Sequence, residues 1–133
     1  MKTALDSSVI WLLLKQQSGW EAWREALSNA ALEGQLLMCP ITFAECSMGF
    51  SDWQSALNAF QMLQISFDPL LPDTAHLAGT VFTAYRKKGG PREHLIPDFI
   101  IGAHALCQAD RLAAVDRGFY RSYFSELPIL SPE

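Results

Sequence analysis

Residues 1–14, MKTALDSSVIWLLL, decide how the rest of the chain is read. A short apolar run delivers Asp6, two serines follow, and a second, longer apolar run begins at Val9. A buried strand leading directly into a helix gives this pattern, with the carboxylate at the joint. The reading is a strand over residues 3–5 and a helix over residues 8–16. An isolated aspartate between two segments that both want burial either shapes the turn or belongs to a site.

The same unit recurs along the chain. Trp20, Trp23, Leu27 and Ala30 lie at helical spacing and Gly34 stops that helix. QLLMCP, residues 35–40, is a short apolar run closed by proline, a second strand. Helices are expected over residues 42–49 and 51–63, and a third strand over 64–67. Leu77, Ala78, Val81, Phe82 and Tyr85 share one face of an amphipathic helix that Gly89-Gly90 ends. A loop, GGPREHLIP, then precedes a helix over residues 98–108. RLAAVD supplies a fourth strand and LPILS a fifth. Short strands apolar on both faces and alternating with helices predict an α/β fold. Its sheet is expected to be mostly parallel, with four to five strands flanked by helices.

Length and composition agree. At 133 residues, half of them hydrophobic, the chain reads as a single domain over 1–133 with a core that needs no disulfides. Cys39, Cys46 and Cys107 lack metal-finger or CxxC spacing and read as free thiols of a reducing compartment. No signal-peptide pattern opens the sequence and no apolar run is long enough for a bilayer, so a cytoplasmic protein without membrane contact is expected. The net charge of −4 excludes a generally basic nucleic-acid-coating surface. Setting four of the 14 acids aside leaves 10 against 10 Lys+Arg, so a polyanionic substrate is still admissible if cations cover those four.

Ligands of such folds gather where strand carboxyl ends meet the following helices. Four acids belong there: Asp6 after the first strand, Glu45 one turn into the helix after the second, Asp98 at the start of a helix, and Asp116 after the fourth strand. Each has a structural explanation of its own. Asp6 suits an Asx-turn, Glu45 completes a TFAE capping box with Thr42, Asp98 suits a helix N-terminus, and Asp116 suits a turn. Together, at the same end of successive units, they describe carboxylates whose mutual repulsion a divalent cation would cancel. An all-oxygen set points to Mg²⁺ or Mn²⁺ rather than zinc.

TALDSSVI, ITFAEC, IPDFIIGAHAL and LAAVDRGFYRSYF resemble the four acidic motifs of PIN-domain ribonucleases, above all the VapC-like toxins of prokaryotic toxin–antitoxin pairs. The likeness spans essentially the whole chain and rests on the order and spacing of the motifs together. It implies a PIN-like three-layer fold and an Mg²⁺- or Mn²⁺-dependent endoribonuclease hydrolysing RNA phosphodiesters, the toxin of a pair that inhibits translation. It makes Asp6, Glu45, Asp98 and Asp116 the catalytic and metal-binding quartet. It also implies a cognate antitoxin, gripped in part by the aromatic-rich segment around Glu45, and a homodimer. Two departures stand out: Ser7-Ser8 follow the first acid where the family has Thr-Asn or Thr-Ser, and Ala114 replaces the usual hydroxyl two residues before the fourth.

Ser7, Ser8, Arg86, Arg92 and Arg117 are the candidate substrate contacts, with Arg92 favoured by its place in the loop before the third acid; Lys87, Lys88 and Arg121 are lesser candidates. His94 could touch substrate from its loop but reads rather as an exposed loop residue, His104 as packing or surface, and His76 has no metal-spaced partner. Ser7 and Ser8 lack a histidine-acid relay, which excludes a serine hydrolase. A dehalogenase-like phosphatase would want an acid at position 8, and a receiver domain would want paired early acids. Two other readings survive: a non-cleaving PIN-like module binding RNA or protein, and a housekeeping RNA-processing nuclease.

Overall fold

The computed structural model describes residues 1–132. The elements follow in the order β1 (Lys2–Leu5), α1 (Ser7–Leu14), α2 (Trp20–Glu33), β2 (Gln35–Met38), α3 (Pro40–Ser47), α4 (Trp53–Met62), β3 (Ile65–Phe67), α5 (Pro72–Lys87), α6 (Ile96–Gln108), β4 (Arg111–Ala113), α7 (Phe119–Tyr123) and β5 (Ile129–Leu130). The strands form one sheet in the order β3-β2-β1-β4-β5, and every pairing is parallel. The expected mostly parallel sheet is thus fully parallel and has five strands. Among the described residues, no helix is long and apolar enough to cross a membrane.

β1 is central, with Thr3, Ala4 and Leu5 all buried, because helices cover both faces of the sheet. One core layer gathers Ala78, Tyr85, Phe99, Leu112 and Tyr120 from α5, α6, β4 and α7, with Phe124 just beyond α7. The other gathers Val9, Ile10, Trp23, Leu27, Met38 and Phe60 from α1, α2, β2 and α4.

The starts of α3 and α6 differ from the sequence reading for one reason. α3, α5 and α6 each carry a proline at the first or second helical position and no side-chain cap. Proline loses nothing there, since first-turn N–H groups have no partner within the helix. α3 therefore starts at Pro40, and Thr42 lies inside it, buried, donating its hydroxyl to the Leu5 carbonyl at 3.2 Å. The TFAE capping box does not form. α6 likewise begins at Ile96 rather than Asp98. α4 begins at Trp53, capped by Asp52 through the Ser55 N–H at 2.7 Å. α7 had no counterpart in the sequence reading.

His104 is buried and meets Asp68 Oδ2 through Nε2 at 2.8 Å. One turn on, the Gln108 amide donates to Asp68 Oδ2 (3.0 Å) and the Pro69 carbonyl (2.9 Å), and accepts from the Leu71 N–H (3.1 Å). α6 thus fastens the short connection from β3 to α5 and satisfies its backbone groups.

Burial sets an alkaline limit on stability. Cys46 is buried, and burial pushes its thiol from the ordinary 9.0 up to about 12. The folded state keeps a proton that the unfolded chain loses above 9.0, so this contribution is complete below that pH and is lost as pH climbs toward about 12. Burial raises Cys39 in the same sense. Denaturant midpoints should fall with rising alkaline pH, by at most about 1.4 kcal/mol per pH unit for each such thiol. In Cys46→Ala the decline should be shallower by one proton's worth; an unchanged slope would contradict the assignment.

Candidate metal centre at the strand carboxyl ends

Asp6 follows β1 in extended geometry and caps α1: its Oδ2 accepts from the Ser8 N–H at 3.2 Å and from the Ser8 hydroxyl. Its other oxygen accepts from the Tyr120 hydroxyl at 2.8 Å. Tyr120 is buried, and burial together with the Asp6 charge pushes its pKa well above the ordinary phenol value, so it remains a neutral donor. Asp6 thus caps the helix and still lines the hollow described below.

Ser8 Oγ also accepts from the Val115 N–H at 3.4 Å, tying the end of β1 to the segment after β4. Ser7 Oγ donates to Glu45 Oε1 at 2.5 Å, holding the first turn of α1 against α3. The two serines therefore orient carboxylates. Ala114, at the position of the missing hydroxyl, is fully buried in the core.

Asp116 is held by backbone. Its Oδ1 accepts from Gly118 N (3.0 Å) and Tyr120 N (3.1 Å), and its Oδ2 from Arg121 N (3.1 Å). It organises the start of α7, the short helix that carries Tyr120 to Asp6. Asp98 Oδ2 lies 3.3 Å from His94 Nδ1, and the His94 ring stacks on Phe119 with centroids 4.1 Å apart. His94 is half-buried at the site, a correction to its reading as an exposed loop residue.

Asp6, Asp98 and Asp116 line one hollow of about 430 Å³, together with Glu93, His94, Arg117 and Tyr120. Glu45 does not line it and reaches the cluster through Ser7. Of the basic candidates, Arg117 lines the hollow, whereas Arg86 and Arg92 do not. Glu93 and Tyr120 line the hollow without being candidates in the sequence, and His94, a possible substrate contact there, lines it too. For Tyr120 no local signal existed, because its partner is 114 positions away.

The donor set suits a hard divalent ion: it is all oxygen, and its charge is poorly compensated. Among the described residues, neither Asp6 nor Glu45 has a cation at ion-pair distance, and Asp116 has only Arg121 at 3.9 Å. With each carboxylate turned toward its present partners, no three of the described Asp, Glu, His or Cys side chains converge closely enough to hold an ion.

Comparison with known proteins identifies the fold. The model of the PIN domain matches residues 3–125. The chain belongs to the PIN-domain family. PIN domains are a family of nucleases. No curated protein matches. Among solved structures, this PIN domain superposes on a VapBC2 complex from Rickettsia felis bound to a promoter DNA fragment, with TM-score 0.77 and 14% identity over the whole of both chains. It is also similar to VapBC-1 from nontypeable Haemophilus influenzae (TM-score 0.72, 19% identity, 98% of each chain). A toxin–antitoxin complex from Klebsiella pneumoniae gives TM-score 0.66 at 20% identity over 98% of each chain. At these identities the neighbours establish the fold of the PIN domain, while its site rests on its own residues.

Proposed function

We propose that this chain is a single-domain, Mg²⁺- or Mn²⁺-dependent endoribonuclease, the cytoplasmic toxin of a toxin–antitoxin pair that restrains translation. The observation that carries the reading is the hollow lined by Asp6, Asp98 and Asp116 at the carboxyl ends of β1 and β4 in a PIN domain. These three would hold the ion, with Glu45 bonded directly or through water. When bound, the ion supplies a water of lowered pKa and positive charge for the phosphate. Tyr120 fixes Asp6 from below, Ser7 fixes Glu45, and Arg117 at the rim is placed to meet a phosphate. In-line attack forms a bond from the water oxygen to phosphorus and breaks the bond to the 3′-oxygen. That oxygen leaves as a hydroxyl, and the other product carries a 5′-phosphate.

The antitoxin is assigned to the apolar groove of about 670 Å³ between α3, α4 and β3, lined by Phe43, Trp53, Leu57 and Phe67. Trp53 is 60% exposed, an unusual position for so large an apolar ring unless something covers it. Similarity to solved toxin–antitoxin complexes supports an antitoxin partner for this chain.

The test is RNA cleavage by the purified chain with Mg²⁺, with Mn²⁺, and with chelator, and mapping of the new ends. Metal-dependent fragments bearing 5′-phosphates are expected. RNA shifted on a gel with no metal-dependent fragments would favour the non-cleaving module, the reading that the capping role of Asp116 supports.

A further inference from the structure

The acid-lined hollow does not end at His94. A second hollow of about 300 Å³ adjoins it, sharing Glu93, His94, Arg117 and Phe119 and adding Tyr85, Ser122 and Tyr123. The shared wall is a column of two rings: His94 lies on Phe119 at 4.1 Å with an interplanar angle of 21°. Phe119 is backed in turn by Phe99 and Tyr123, at 5.1 and 5.5 Å, so the column is fixed. The His94 side chain is nevertheless 34% exposed. One face rests on Phe119, and among the described residues no second ring stacks on His94: Tyr85 meets it edge-to-face, with centroids 6.5 Å apart.

We infer that this second hollow is a nucleobase subsite, in which one unpaired base of the RNA stacks on His94 as the third ring of the His94–Phe119 column. The inference rests on the nuclease reading for its ligand class. A flat aromatic face immediately beside a phosphate-handling site is what single-stranded recognition uses, since every base has a π-face. Arg117, common to both hollows, would meet the phosphate linking the two sites, and Glu93 and Ser122 border the base edge. The base held here would set which bond enters the acid cluster.

The probes are a single-stranded hexaribonucleotide and versions with one abasic position at each place in turn. Binding is followed by fluorescence anisotropy with Ca²⁺, and probe integrity is checked afterwards. Stacking on this scale predicts that one abasic position weakens binding to the parent protein roughly ten-fold. His94→Ala weakens the intact probe by a similar factor and becomes insensitive to that abasic position, while His94→Phe retains most of the affinity. Additive losses, equal weakening by His94→Phe and His94→Ala, or no binding of the intact probe would each overturn the subsite. Cleavage is scored separately: a chain that cuts RNA while the losses add keeps its nuclease function and loses the subsite. Non-additive losses without cleavage would retain the subsite and remove the nuclease reading.

Discussion

Asp6→Asn is expected to lower metal-dependent RNA cleavage by more than about a hundred-fold, because even groups that only support metal ligands cost about 10–100-fold when removed. The fold should survive the change. Asparagine is as good a helix cap as aspartate, so its carbonyl can still accept from the Ser8 N–H. Its amide then faces Tyr120, whose hydroxyl turns from donor to acceptor. The stability change should be within about 1 kcal/mol. Initial rates and a thermal melt on the same preparation test both parts. Cleavage at the parental rate by a folded Asp6→Asn protein would remove Asp6 from the chemistry.

Phe99→Ala should produce the largest loss of stability among single core truncations near the site. Phe99 is fully buried and lies between the rings of Phe82, Tyr85 and Phe119, with centroids at 5.2, 5.2 and 5.1 Å. Removing it costs about 3–5 kcal/mol, against a total stability of roughly 5–15 kcal/mol for a domain of ordinary size. The melting temperature should fall by on the order of 10 °C. Met62→Ala, at a side chain 85% exposed, serves as the control and should stay within about 0.5 kcal/mol of the parent. Equal melting temperatures for the two variants would show that the α5–α6–α7 layer is not packed as described.

The sheet was legible in the sequence because its strands are short, apolar on both faces and separated by helices, a pattern that admits little besides a parallel α/β layer. The acids were legible for a similar reason: each lies next to a strand end or helix start that local pattern marks. What local pattern misjudged was competition between signals. Thr42 and Glu45 have capping-box spacing, but Pro40 starts the helix two residues earlier and turns Thr42 inward to the Leu5 carbonyl. Contacts that depend on the return of α7 were out of reach. Nothing near Tyr120 announces that its hydroxyl ends on Asp6, and nothing in GGPREHLIP announces that His94 stacks on Phe119. Asp116 shows both sides: its position was legible, while its three backbone amides depend on α7, which the sequence reading did not contain.

The central place of β1 has a consequence for how the molecule comes into being. The strand is synthesised well before β4, one of its two neighbours, in which Arg111 aligns on Thr3 across 108 positions. Until β4 emerges, β1 can pair only with β2, and Asp6 faces neither Asp116 nor Tyr120. Folding during synthesis proceeds from the N-terminus, and so remote a pairing is slow to close. A nascent chain therefore carries Asp6 without Tyr120 until 114 further residues have been made. The acid-lined hollow stays unassembled until β4 and α7 have both been made.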